Sequence, residues 1–223
     1  MSAKFEVKVT AKVIENDKLL MQRITQAISK ELSMAAKKAL GGLQTKIEEM
    51  VYFWIEQQPE IASLQGGLLQ GDFGIPEGQE GAIVQEILFA VSQSIELGFA
   101  GFDKNLKGKL LIHVQPTSFE NVLSVVHPVV TKKGTLIPWL KWLLFSGDAV
   151  VVLNYHVDYL SGSDAAGSRS GTGAVMKSGD VFRVRPEFSG TRDNNFITRA
   201  FADKDGQIGR LLEEHISAKM GRG

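Results

Sequence analysis

Apolar and polar residues alternate from Lys4 to Val13. Phe5, Val7, Val9, Ala11 and Val13 share one face, and Lys4, Glu6, Lys8, Thr10 and Lys12 share the other. A period of two is that of a half-buried strand. Asn16 and Asp17 follow, residue types whose side chains cap helix N-termini. From there Leu20, Ile24, Ile28, Leu32, Ala36, Ala39, Leu43, Ile47, Met50 and Trp54 recur every three or four residues, one stripe of a helix that Pro59 ends. Unbroken, this helix would be roughly 60 Å long. Gly41-Gly42 sits at its middle, and each glycine is about 1 kcal/mol less favourable there than alanine. The pair therefore predicts a kink or a break. The single apolar stripe has two readings: it covers the chain's own sheet, or it packs on a neighbour.

Gly66 to Gly81, glycine-rich and carrying Pro76, reads as an irregular connector. Ile83 to Val91 is a short amphipathic helix. Ser94 to Phe102 and Lys109 to Gln115 are strands, with Leu110, Ile112 and Val114 facing one way in the second. Pro138 to Phe145 is a short helix with proline at its start and Gly147 past its end. It is apolar nearly all round, so it is buried either in the core or against another subunit. Ala149 to Tyr159, rich in β-branched and aromatic residues, is a strand.

Ser161 to Gly173 is dominated by small polar residues and reads as a flexible hairpin loop with nothing to anchor a core. Ala174 to Lys177 and Val181 to Val184 are short strands on either side of Ser178-Gly179-Asp180. Asn194 or Asn195 caps a final helix whose stripe is Ile197, Ala200, Phe201, Ile208, Leu211, Leu212 and Ile216, before a frayed tail at Gly221 to Gly223. The expected fold is α+β: an antiparallel sheet with a long N-terminal helix and a C-terminal helix. It forms a single domain over 1–223, with an N-terminal arm (1–16) and a flexible hairpin loop (161–173).

Composition narrows the function. The 223 residues suit one domain, and 43% hydrophobic with 22% charged residues argues against wholesale disorder. Lysine plus arginine balance aspartate plus glutamate at 25 each, so no overall basic excess holds the chain on nucleic acid or an acidic membrane. Absence of cysteine removes disulfides and thiolate metal sites. The first residues are charged and alternating, without an apolar stretch of signal-peptide type. The longest apolar cluster, Leu136 to Phe145, is interrupted by Pro138 and Lys141 and falls short of the ~20 residues that span a membrane.

Candidate chemistry is sparse. His113, His127, His156 and His215 lie far apart, none at metal-ligand spacing, and His113 and His156 sit in strand patterns. No nucleophile elbow, P-loop or dinucleotide-binding glycine pattern occurs. Asp103, Asp148, Asp158, Asp164, Asp180 and Asp193 are assigned to turns or loops, where aspartate bonds nearby backbone. No catalytic residue, metal ligand or cofactor is therefore expected. A hydrolase using His156 or His127 with a loop aspartate is the weakest alternative.

Between 161 and 200 there are six cations and four anions, and five of the cations are arginine, which makes bidentate bonds to carboxylate and phosphate. The segment clamps a neighbouring subunit, contacts DNA in a channel, or is an ordinary solvated face. The candidate subunit-interface residues are Trp139 and Trp142 of the short helix, with Arg169, Arg183, Arg185, Phe188, Asn195 and Arg199.

Four segments carry a resemblance. They are Pro59-Glu60 through Asp72-Phe73-Gly74-Ile75-Pro76; Ile137-Pro138-Trp139-Leu140-Lys141-Trp142-Leu143-Leu144 with Gly147-Asp148; Ser168 to Met176; and Phe182 to Ala200, which includes Pro186-Glu187-Phe188-Ser189-Gly190-Thr191 and Asp193-Asn194-Asn195-Phe196. In this order they resemble virion structural proteins of large contractile-tailed bacteriophages and, more distantly, tail-completion and head–tail joining proteins. The resemblance runs from the long helix to the final one. Val175 stands where Met or Ile is the pattern, and Phe182 where Trp is. It implies a non-catalytic ring of identical subunits, hexameric, at the phage neck or tail end. Neighbouring neck or tail proteins would be its partners, DNA would pass in its channel, no membrane would be involved, and its place would be the virion, assembled in host cytoplasm. The arms would add strands to an adjacent subunit's sheet.

Overall fold

The computed structural model describes residues 16–113, 119–125, 129–130 and 136–220. The expected strand at 4–13, the rest of the arm, the end of the second strand at Val114 and Gln115, His127 and the tail at 221–223 lie outside the described residues.

Helix α1 runs from Asp17 to Glu56. Asn16 caps it, its side chain accepting the Leu19 N–H at 3.0 Å. The helix is continuous, so the break expected at Gly41-Gly42 does not occur. The reason lies at the other end of the chain. His215 is buried against this turn, with its Nε2 2.9 Å from the Ala39 carbonyl. A Cβ on Gly42 would sit 3.3 Å from His215 Cε1. Gly42 thus makes room for a crossing helix. Burial of Ala39, Leu43, Ile47, Val51, Trp54 and Ile55 offsets the low helix propensity of the pair.

Helices α2 (Pro59–Gly66) and α3 (Leu68–Asp72) follow, then α4 (Glu80–Ser92). The glycine-rich stretch read as an irregular connector is in large part core, because Leu69, Phe73 and Ile75 are fully or almost fully buried. Strands β1 (Glu96–Phe102) and β2 (Gly108–His113) pair antiparallel, and helix α5 spans Glu120–Val125. The short strands β3 (Val129–Val130) and β4 (Leu136–Ile137) form a second pair, and β5 (Val150–Tyr159) with β6 (Ala174–Arg183) a third. The class is α+β, as the pattern predicts, but the antiparallel structure among the described residues is divided into separate two-stranded pairs.

Strand β6 is one strand where two were expected. Leu153 pairs with Val181 and Tyr155 with Ser178, which leaves Gly179 and Asp180 opposite Asn154. This β-bulge absorbs the turn-like residues, and Asn154, Gly179 and Asp180 all take positive φ. Asp158 and Asp180 consequently lie in strands and not in loops.

Between β4 and β5 the chain turns at Trp139 and winds as a π-helix over Trp142–Ser146. Trp139, Leu140, Leu143 and Leu144 are buried, and the Trp139 ring stacks on Phe73 at 4.7 Å. The expected final helix is two helices: α6 (Phe196–Ala200) and α7 (Asp205–Met220). The turn between them carries Asp203 at positive φ and sets Phe201 edge-on to Trp54, with ring centroids 5.8 Å apart. Ile208, Leu211 and Leu212 keep their expected inward face.

Candidate functional site

Two buried carboxylates tie the α2–α3 segment to the C-terminal third of the chain. Glu60, in the first turn of α2, is fully buried and pairs through Oε1 with Arg199 Nη2 of α6. Arg199 Nη1 also donates to Asn194 Oδ1 at 3.0 Å. Glu60 Oε2 has no hydrogen-bond partner among the described residues. Burial pushes the Glu60 carboxyl above its ordinary range, with a backbone hydrogen bond and the Arg199 charge opposing it.

Asp72, the last residue of α3, is the second. The Tyr159 hydroxyl at the end of β5 donates to Asp72 Oδ1 at 2.7 Å and lies 2.9 Å from the Leu68 carbonyl. Arg185 Nε donates to Asp72 Oδ2 at 3.2 Å, and its guanidinium lies 5.9 Å from the Tyr159 ring centroid. Burial raises the Asp72 carboxyl, while Tyr159 and Arg185 pull it back. The Tyr159 phenol is pushed well above its ordinary value, first by burial and then by the Asp72 carboxylate.

The 161–173 loop joins β5 to β6, as a hairpin should, but it is anchored at its base. Gln70 Nε2 donates to the Ser170 carbonyl at 3.3 Å, and the Glu77 N–H donates to the Arg169 carbonyl at 3.3 Å. Ser170 is buried, with its hydroxyl 2.7 Å from that of Thr172. A Cβ on Gly71 would sit 2.7 Å from Thr172 Oγ1, so glycine is what lets α3 and the hairpin meet.

The candidate interface residues fall in different places. Trp139 and Asn195 are inside the fold, a correction to their reading as outward contacts. Trp139 is core. Asn195 is fully buried, caps α6 through the Ile197 and Thr198 N–H groups, and donates to the Leu144 carbonyl at 3.1 Å. Trp142 and Phe188 are half-buried against the core, and Trp142 Nε1 lacks a partner among the described residues. Arg183 donates to the Asp148 carbonyl, and Arg185 and Arg199 are the clamps just described. Arg169 is exposed.

His156 Nδ1 lies 3.1 Å from the Gly179 carbonyl and Nε2 lies 3.3 Å from Asp158, which also pairs with Lys177 at 2.7 Å. Both ring nitrogens thus face acceptors within the β5–β6 hairpin. Among the described residues no three His, Cys, Asp or Glu side chains cluster as a metal site would require.

Sequence reasoning missed Glu60 and Asp72. An acid in a helix's first turn reads as a response to the helix dipole, and nothing local announces a partner more than a hundred residues away. It also missed where the exposed apolar surface gathers. Leu20, Met21, Ile24 and Ile28 on the first half of α1, and Leu153, Met176 and Val181 on the β5–β6 hairpin, are each at least 37% exposed. These features define an α+β fold whose polar clamps are internal and which exposes apolar residues on α1 and the β5–β6 hairpin among other places. No family model, curated protein or solved structure matches the chain. No described helix is long and apolar enough to cross a membrane.

Proposed function

We propose that the chain is a non-catalytic structural subunit of a bacteriophage virion, assembling as a six-fold ring at the neck or tail end to complete the tail or join it to the head. The observation that carries this reading is the exposed apolar surface of α1 and the β5–β6 hairpin. A two-stranded ribbon is marginal alone, and contiguous exposed apolar surface marks interaction sites. The resemblance of the four segments supplies the setting, with adjacent neck or tail proteins as partners. A DNA-contacting role for 161–200 has less support, because Arg183, Arg185 and Arg199 are engaged by acceptors of their own chain.

The test is native mass across a concentration series with negative-stain images of the large species. Closed rings with a central channel are expected. A monomer at every concentration, or open aggregates alone, overturns the reading.

A further inference from the structure

A groove of about 390 Å³ separates β2 from α7. Leu110 and Ile112 line it from the strand, and Ile208, Gly209 and Leu212 from the helix, with Phe201 beside the start of α7. The apolar side chains among them are half-buried, so the groove is an uncovered border of the core. Among the described strands β2 pairs with β1 alone, which leaves its other edge without a strand. Gly209 is a second sign of an occupant. Glycine is a poor helix former. Gly42 is explained by His215, but nothing lies within 4 Å of where a Gly209 Cβ would be. The missing side chain lowers the helix wall, as close approach of another backbone requires.

The helix rim of the groove is acidic. Asp205, Gly209 and Glu213 follow at four-residue intervals, so they form one row along α7, and both acids are exposed. Arg210 lies about 160° round the helix from Leu212, so it points away. Lys204 is turned onto the Trp54 ring. On the strand, Lys109 and His113 alternate with Leu110 and Ile112 and belong to the opposite face of the ribbon. A strand that fits this groove has one apolar side and one basic side. Residues 4–13 are such a segment. Phe5, Val7, Val9, Ala11 and Val13 make its apolar side, and Lys4, Lys8 and Lys12 outnumber Glu6 on the other.

The tether to α1 keeps this segment out of its own chain's groove. Phe201 meets Trp54 and His215 meets Ala39, so the stretch of α7 between them runs beside α1 beyond Ala39. Ala39 is twenty-three residues past Asn16, about 35 Å along a continuous helix. Val13, three residues before Asn16, reaches at most about 11 Å from it, and Phe5, eleven before, at most about 40 Å. At full stretch Phe5 alone comes level with the groove, and the rest of the apolar side falls short. We propose that residues 4–13 of one copy lie in the groove between β2 and α7 of a second copy, apolar side inward and lysines over Asp205 and Glu213. This rests on reading the chain as an assembly subunit and names the groove that receives its arm. Every copy offers one arm and one groove, and repetition closes a ring where the rotation allows. Apolar burial holds the contact, and opposite charge favours its register.

The chain has no cysteine, so introduced ones report alone. Full-length copies carrying Val9→Cys are mixed with copies carrying Gly209→Cys under mild oxidation. The mixed disulfide is expected to form at least about tenfold faster than either variant's own homodimer. A chain carrying both substitutions is expected to link between copies into a ladder of covalent oligomers. Gly209→Leu fills the notch in the wall. It is expected to raise the urea midpoint of the isolated subunit, since leucine is the better helix former and has open space there. It is also expected to raise the half-assembly concentration at least about tenfold. A crosslinked monomer from the double variant shows the arm in its own chain's groove and overturns the docking. So does a Gly209→Leu protein that assembles as wild type does. Absence of the mixed disulfide where wild type assembles assigns the groove to another occupant, which overturns the docking and leaves the assembly reading standing. A wild-type protein that stays monomeric at every concentration, with no mixed disulfide, removes the assembly reading itself.

Discussion

Glu60 has its proton held more tightly in the folded chain than in the unfolded one, because burial outweighs Arg199. The stability it contributes is therefore fully present below its ordinary value of 4.5 and is lost as pH rises through the raised folded value. Glu60→Gln should lack this loss, so its urea midpoint relative to wild type should climb as pH rises from 4.5 towards neutrality. A pH-independent difference would show that Glu60 titrates normally. Arg199→Ala should act in the opposite sense. It leaves a buried carboxylate without its cation, costs about 2 kcal/mol near neutral pH, and costs less in acid, where Glu60 is neutral. Paired denaturation curves at the two pH values check this. At this scale the sequence was least legible. The arginines attracted notice for their number, but their partners are set by tertiary folding. A guanidinium that meets a buried acid of its own chain looks the same in one dimension as one that meets a neighbour.

The helices and strands themselves were largely readable, because each follows from local periodicity. The Asn16 cap, the second half of the α1 stripe from Ala36 to Trp54, α4, strands β1 and β2 and the start of α6 at Asn195 all stand where the pattern put them. The misses share a cause: local breaker signals were overruled by contacts distant in sequence. Gly42 is kept by His215, Gly71 by Thr172, and the Ser178–Asp180 turn is absorbed by Asn154 across the strand. The adjacent glycines of α1 separate propensity from packing. Gly41 has open space where a Cβ would go, so Gly41→Ala should stabilise by about 1 kcal/mol. Gly42→Ala should gain nothing, since His215 must move. Equal effects in urea unfolding would place His215 elsewhere. The hairpin loop offers a related test. Replacing 161–173 with a tight turn removes the Gln70–Ser170 and Glu77–Arg169 bonds and should cost the isolated subunit about 1–2 kcal/mol, visible as a lower midpoint under non-assembling conditions.

At the scale of the whole molecule, α+β was legible because both helix and strand periods are strong, but division of the strands into separate pairs was not. Register along a strand is local information; which strand lies beside which is not. The assembly proposed above also has a thermodynamic signature. If the native ring is linked to folding, the apparent melting temperature should rise with protein concentration. A ring not linked to folding would leave it constant on dilution. Calorimetry over a hundredfold range distinguishes the two.

The continuity of α1 through Gly41-Gly42 has a mechanical side. The helix is rooted by α4, β1 and α7, a grip that reaches Ser29 and Ser33 through hydrogen bonds to Phe102, and the turns before Ser29 are a lever with no joint along it. Over an arm of about 18 Å, a tilt of about 10° at the root sweeps the first turn through about 3 Å, roughly half a helical pitch. A small repacking around Trp54 or His215 would therefore reach the tip as a visible displacement, and strain applied at the tip would be felt in the core.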